Sequence, residues 1–266
     1  MTRNTEMSGA RMRDADDWQT DSRRIRRVHV HGDAAIDEHA WPATVPAIRA
    51  FLDGVRRNGG WEFTAGVTFL VGENGSGKST LLEGIAEAAG LPAEGGSTNG
   101  GRATWRTESP LGEWLRIEHG LQSSRWGFFL RAETMHGYYS YLEDIGGPDP
   151  AFHRMSHGES FNELLAEKLD PEQFVTGLAL LDEPEAGLSF QSLLSWVTAL
   201  DRMRSRGTQV LCATHSPVLT SLPGATILEL GDWGIRETSW EELELVQHHR
   251  RYLEAPERYL RHLLAE

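Results

Sequence analysis

The segment Gly72-Glu73-Asn74-Gly75-Ser76-Gly77-Lys78-Ser79, with Thr80 behind it, is built to hold an anion. Its glycines let successive backbone N–H groups turn toward one point, and a helix starting at its end adds free N–H groups and a dipole. Lys78 supplies a point charge for β- and γ-phosphates, and Ser79 a hydroxyl for Mg²⁺. Asp182 and Glu183 close the apolar run Leu178-Ala179-Leu180-Leu181. Strand ends of this kind open on the ligand crevice of a parallel sheet. Asp182 would hold Mg²⁺ there, directly or through water, and Glu183 would polarise an attacking water as general base; the alternative is a pair of solvated acids ending a strand. His215 follows the apolar run 209–213 and reads either as a γ-phosphate contact or as a core or cap histidine.

A second anion site is written at Ser156-His157-Gly158-Glu159. A serine hydroxyl, a glycine N–H and a helix N-terminus suit a phosphate, although Ser-x-x-Glu is also a capping box. One ATP does not need two γ-phosphate sites in one chain. The phosphate reading therefore points to the ATP of a partner protomer, and Ser189, just past the acid pair, is placed to cross such an interface.

These residues need elements to position them. Apolar runs at 67–71, 178–181, 209–213 and 226–230 read as buried strands of a parallel sheet. Residues 25–31 read as a weaker first strand, and 104–133 alternate as a β-meander, with strands at 103–106, 114–118 and 127–131. Helices are expected at 47–56, with Ile48, Phe51, Leu52 and Val55 on one face, and at 79–89, with Leu81, Leu82 and Ile85 inward and Gly90 as C-cap. Further helices are expected at 156–169, 190–204 and 240–264, the last interrupted near Pro256. Short apolar strands alternating with helices argue for an α/β class.

At 266 residues the chain can bury a full core, and its net charge of -13 gives no global pull toward nucleic acid or an anionic membrane. The one dense basic run, Arg23-Arg24-Ile25-Arg26-Arg27, reads as a solvated lead into the first strand, with a DNA contact as the sharper alternative. Cys212 is the only cysteine, which excludes an intrachain disulfide and reads as a buried core thiol. No apolar stretch approaches the roughly 18–20 residues of a membrane span, and the N-terminus lacks a signal-peptide core, so a cytoplasmic protein is expected. Lys78 and Lys168 are the only lysines, which makes Lys78 conspicuous.

Together and in this order, these residues resemble the ABC-type ATPase superfamily. Residues 72–79 are similar to its Walker A, 156–159 to its signature motif, Asp182 and Glu183 to its Walker B, 186–189 to its D-loop and His215 to its switch histidine. The resemblance spans residues 25–235, with 26 positions from Ser156 to Asp182 and 33 from Asp182 to His215. The wording of the motifs is most similar to bacterial single-domain ATPases related to the SMC and RecF-type repair group. His157 departs from the pattern, which has glycine there.

The resemblance implies a P-loop NTPase with a mostly parallel central sheet, an antiparallel β patch and a short helical signature subdomain. It implies ATP and Mg²⁺ as cofactors. It also implies a homodimer on ATP binding, with Ser156, Gly158 and Glu159 on the partner's nucleotide. Glu133 stands where the family has a glutamine and would contact Mg²⁺ through water. Trp41, Phe51 and Trp61 are the candidates for an adenine-stacking aromatic. The organisation expected is a disordered tail at 1–22, an ATPase domain at 23–235 with a reduced helical subdomain at 133–170, and a C-terminal helical segment at 236–266 packed on the core.

Three functions compete. The first is an ATP-hydrolysing engine that closes and reopens as a dimer on a nucleic acid or protein client, in DNA repair or defence. The second is the nucleotide-binding subunit of an ABC transporter. The third is a non-catalytic ATP-dependent dimerisation switch. The interval from Glu133 to Ser156 is only 23 positions. It has no room for a transporter-sized helical subdomain or a long coiled coil, which weakens both the transporter reading and a long-armed DNA clamp.

Overall fold

Apolar runs buried on both faces fix the centre of the molecule. The computed structural model describes residues 20–93, 95–97, 109–131 and 177–264. In it, β3 (Val67–Val71), β6 (Gly127–Arg131), β7 (Leu178–Asp182), β8 (Gln209–Thr214) and β9 (Thr226–Gly231) lie parallel in the order β9-β3-β8-β7-β6. Antiparallel strands close both edges: β10 (Gly234–Thr238) on β9, and β4 (Gly96–Ser97) on β6. The result is a mixed α/β fold with a mostly parallel sheet.

A separate three-stranded antiparallel sheet has the order β2-β1-β5, formed by β1 (Arg27–Val30), β2 (Trp61–Glu62) and β5 (Leu115–Glu118). Here the expected β-meander is corrected. The run 114–118 is divided between α3 (Leu111–Trp114) and β5, and β5 pairs with β1 rather than with β6. The cause is visible in the side chains. β6 is apolar on both faces and belongs inside the parallel sheet, whereas Leu115-Arg116-Ile117-Glu118 has one face to bury.

Helices cover the two faces of the central sheet. On one face α1 (Pro46–Asn58) buries Ile48, Phe51, Leu52 and Val55, and α2 (Lys78–Ala88) buries Leu81, Leu82 and Ile85, in a single cluster with Leu70, Phe129, Leu180 and Leu211. On the other face α4 (Phe190–Ser205) places Trp196, Leu200 and Met203 against Phe69, Val71, Leu181 and Cys212. Ser189 caps α4, its hydroxyl accepting from the Ser192 N–H at 3.2 Å. Cys212 lies in this core with no exposed surface, and burial pushes its thiol well above the ordinary value.

The C-terminal segment is helical and broken at Ala255, beside Pro256, as expected, although its first helix starts later than residue 240. The segment starts inside β10, and its helices are α5 (Glu244–Glu254) and α6 (Pro256–Leu264). Leu243 and Val246 are buried in the α4-side cluster, and Trp240 Nε1 donates to the Pro217 carbonyl at 2.9 Å. The far end is open, with Leu253 78% and Leu264 72% exposed. Among the described residues no helix is long and apolar enough to cross a membrane. The expected strand at 103–106, the helix at 156–169 and the subdomain at 133–170 lie outside the described residues.

Candidate functional site

Strand register brings the motifs to one edge. Val71 pairs with Thr214, and Ala213 with Asp182, in adjacent parallel strands. Gly72, Glu183 and His215 each follow the last residue of β3, β7 and β8, so all three emerge on the carboxyl edge of the sheet, where a doubly wound fold binds its ligand.

The phosphate loop requires glycine at two places for different reasons. A Cβ on Gly72 would fall 2.3 Å from the Leu230 carbonyl oxygen of β9, so close strand approach excludes any side chain. Gly77 has φ 96° and starts α2 without a side-chain cap. The uncapped helix end leaves its first N–H groups for an anion. Lys78 is only 4% exposed, and its ammonium folds back to donate to the Glu73 carbonyl at 3.0 Å. Burial lowers its pKa, while Glu183, Asp182 and Glu185 act in the opposite sense. Ser76 Oγ is buried without a hydrogen-bond partner. A buried cation and an orphaned hydroxyl around an uncapped helix end fit a phosphate group. Glu73, Asn74 and Gly75 are exposed on the loop, and Thr80 lies in the first turn of α2.

The Ser79 hydroxyl donates to Asp182 Oδ1 at 2.9 Å, across 103 positions of sequence. Two oxygens so placed fit Mg²⁺, which takes one or two protein ligands alongside substrate phosphates. On the other side of the carboxylate, Arg131 Nε lies 3.5 Å from Asp182 Oδ2, and Arg131 Nη1 donates to Glu83 Oε2 at 3.3 Å. Arg131 was not singled out from sequence. Its only signal there was its place as the last residue of the apolar run 127–131.

Glu183 has φ 50°, the only positive φ outside glycine among the described residues. Such a backbone costs on the order of 1–2 kcal/mol. It is held by the Glu183 N–H donating to the Ala213 carbonyl at 2.9 Å. The turn brings Glu183 Oε1 to 3.3 Å from His215 Nε2. Burial lowers the His215 pKa and the nearby Lys78 charge lowers it further, with Glu183 opposing, so the imidazole is neutral at pH 7. Glu185 is a further residue that sequence reasoning passed over. Its Oε1 accepts from the His215 N–H, and its Oε2 is buried without a hydrogen-bond partner. Burial raises its pKa, against hydrogen bonds from Thr214 and the His215 backbone.

Lys78, Ser79, Asp182, Glu183 and His215 are thus brought together. Glu133, Ser156, Gly158 and Glu159 lie outside the described residues.

Residues 47–116 match the AAA domain family. That stretch runs from α1 into β5 and contains the whole phosphate loop and α2. No curated protein matches the sequence. Two solved structures are similar to this chain. One is a metal-chelate type ABC transporter in an inward-facing conformation, 15% identical over 71% of this chain and 80% of that chain, with a TM-score of 0.41. The other is MJ1267, an ATP-binding cassette of an ABC transporter, 13% identical over 73% of this chain and 89% of that chain, with a TM-score of 0.38.

The three aromatic candidates for base stacking do not meet the loop. Phe51 has no exposed surface, and Trp61 packs on it with ring centroids 5.3 Å apart. Trp41 is 48% exposed but does not line the cavity that borders the loop; Trp233 does. The basic run is largely neutralised by neighbours. Arg23 pairs with Asp21 at 2.5 Å, Arg26 with Glu118 at 2.7 Å and Arg27 with Glu62, while Arg24 donates to the Ala89 carbonyl. Arg23, Arg24, Arg26 and Arg27 are all partly buried in these contacts.

Proposed function

We propose that this chain is an ABC-type ATPase that binds ATP with Mg²⁺, closes as a dimer around two nucleotides and hydrolyses them. The supporting observation is the meeting of the Ser79–Asp182 pair and the Glu183–His215 pair at the mouth of one phosphate loop. ATP and Mg²⁺ supply the γ-phosphoryl group and the positive charge that makes it accept a nucleophile. Lys78 and the α2 N-terminus balance negative charge on the phosphates. Ser79 and Asp182 hold the cation, and Arg131 steadies the Asp182 carboxylate from its other oxygen. Glu183 accepts the proton of the attacking water, and neutral His215 orients that water against the phosphate.

Dimer closure is supported by the solvent access left around Glu183, although His215 Nε2 itself is buried. The His215 and Glu183 side chains retain 31% and 42% of their surface in one chain. Electrostatic catalysis gains most where water is excluded, so a second surface must cover this edge. In this reading, as the family resemblance implies, residues 156–159 of a second copy supply that surface. Glu183→Gln keeps the shape of the side chain while removing the base. In sedimentation with ATP and Mg²⁺ this variant is expected to be dimeric, and monomeric with ADP. A strictly monomeric Glu183→Gln with ATP and Mg²⁺ contradicts the dimer.

A further inference from the structure

The parallel ladder between β7 and β8 ends at the reacting pair. Its last main-chain bond runs from the Glu183 N–H to the Ala213 carbonyl at 2.9 Å. In an unbroken parallel ladder the next bond would run from the His215 N–H back to the Glu183 carbonyl. The left-handed backbone of Glu183, φ 50°, turns that carbonyl away, and it accepts from the Ala186 N–H at 3.1 Å instead. Glu185 Oε1 accepts the His215 N–H in its place. A side chain thus completes the bond that the turn at Glu183 breaks.

This bond joins two turns that are otherwise pinned separately. Thr214 has no exposed surface, and its Oγ1 accepts from the Ser216 N–H at 3.0 Å. Ser216 Oγ accepts from the Leu219 N–H at 3.2 Å, and the Ser216 carbonyl accepts from the Thr220 hydroxyl at 3.1 Å. The chain is therefore fixed on both sides of His215, while Glu183 is fixed by its own bond to Ala213. A carboxylate is a costly acceptor to bury, and Glu185 Oε2 is buried without a hydrogen-bond partner. What that cost secures is a strong bond, since a charged acceptor binds an N–H about twice as strongly as a neutral one.

We propose that Glu185 is a positioning residue for the hydrolysis: by holding the His215 main chain it sets the imidazole where Nε2 stands 3.3 Å from Glu183 Oε1. This rests on the ATP reading and adds to it a residue that acts through His215 rather than on the phosphate. A displacement of about 1 Å at a reacting group can cost roughly 10²-fold in rate, so a main-chain anchor under His215 controls the chemical step.

Steady-state ATP hydrolysis by the full chain with Mg²⁺ tests this. Glu185→Met keeps the bulk and removes the acceptor. It is expected to lower kcat by roughly 10²-fold and leave KM for ATP unchanged. Glu185→Asp, which keeps the charge and shortens the reach, is expected to lose as much. Glu185→Gln keeps an oxygen for the N–H and is expected to recover most of the loss. In a His215→Ala background Glu185→Met is expected to cost nothing further, because effects that pass through one residue do not add. In NMR spectra of the nucleotide-free chain, the His215 ring signals, assigned by their loss in His215→Ala, are expected to move in Glu185→Met and Glu185→Asp and to stay in Glu185→Gln. Wild-type turnover in Glu185→Met overturns the positioning role, and so does an equal loss with and without His215, or an unmoved ring. A wild-type chain without turnover overturns the ATP reading itself, and the ring signals then still decide whether Glu185 places His215.

Discussion

At the scale of single residues, the site is a set of side chains held in states they do not adopt in water. Lys78 is buried, Glu183 stands on a left-handed backbone, and the carboxyl of Glu185 is pressed into the turn that carries His215. Lys78, Ser79, Asp182, Glu183 and His215 were legible because each sits in a local motif and the resemblance those motifs carry marks them. Glu185 and Arg131 were not, because their roles depend on neighbours distant in sequence. The Glu185 pKa is raised by burial, so its contribution to stability is complete below the ordinary glutamate range. It is lost as pH rises through the raised value. Glutamine keeps an oxygen for the His215 N–H and does not titrate. The melting temperature of Glu185→Gln relative to wild type is therefore expected to climb as pH rises from the ordinary glutamate value through the raised one. A difference that stays flat over that interval contradicts a buried, proton-favouring Glu185.

At the scale of elements, strands buried on both faces announced themselves and half-buried ones did not reveal their partners. The apolar runs of β3, β7 and β8 can lie nowhere but inside the sheet, so their ends, and the site, followed. Alternation along β5 shows which side chains are buried but is silent on which strand it joins. β10 was missed because Gly234-Ile235-Arg236-Glu237-Thr238 is a polar edge strand whose tight turn, not its composition, creates it. That turn is what presents Trp233. Capping is the other local device at this scale. Ser189, read from sequence as an interface residue, spends its hydroxyl on the first turn of α4. Ser189→Ala is expected to cost about 1 kcal/mol in urea unfolding. An unchanged midpoint denies the cap a stabilising role.

At the scale of the whole molecule, the fold converts three sequence-distant motifs into one edge. Parallel register lines up the ends of β3, β7 and β8, the helices bury both faces, and the edge itself stays open to solvent at Glu183 and His215. The fold class was legible from the pattern of apolar runs, since strands alternating with helices pack in few other ways. The cavity wall that the β9–β10 turn and α5 form beside the phosphate loop was not, because it joins residues brought together only by the sheet. The open edge gives the account its central claim, that Glu183 removes a proton from water attacking a phosphate held by the loop. Steady-state phosphate release from ATP, with Mg²⁺ in excess, measures it directly. Wild type is expected to turn over, and Glu183→Gln to fall by roughly 10²–10⁴-fold while still binding ATP. Undiminished turnover in Glu183→Gln would contradict the account.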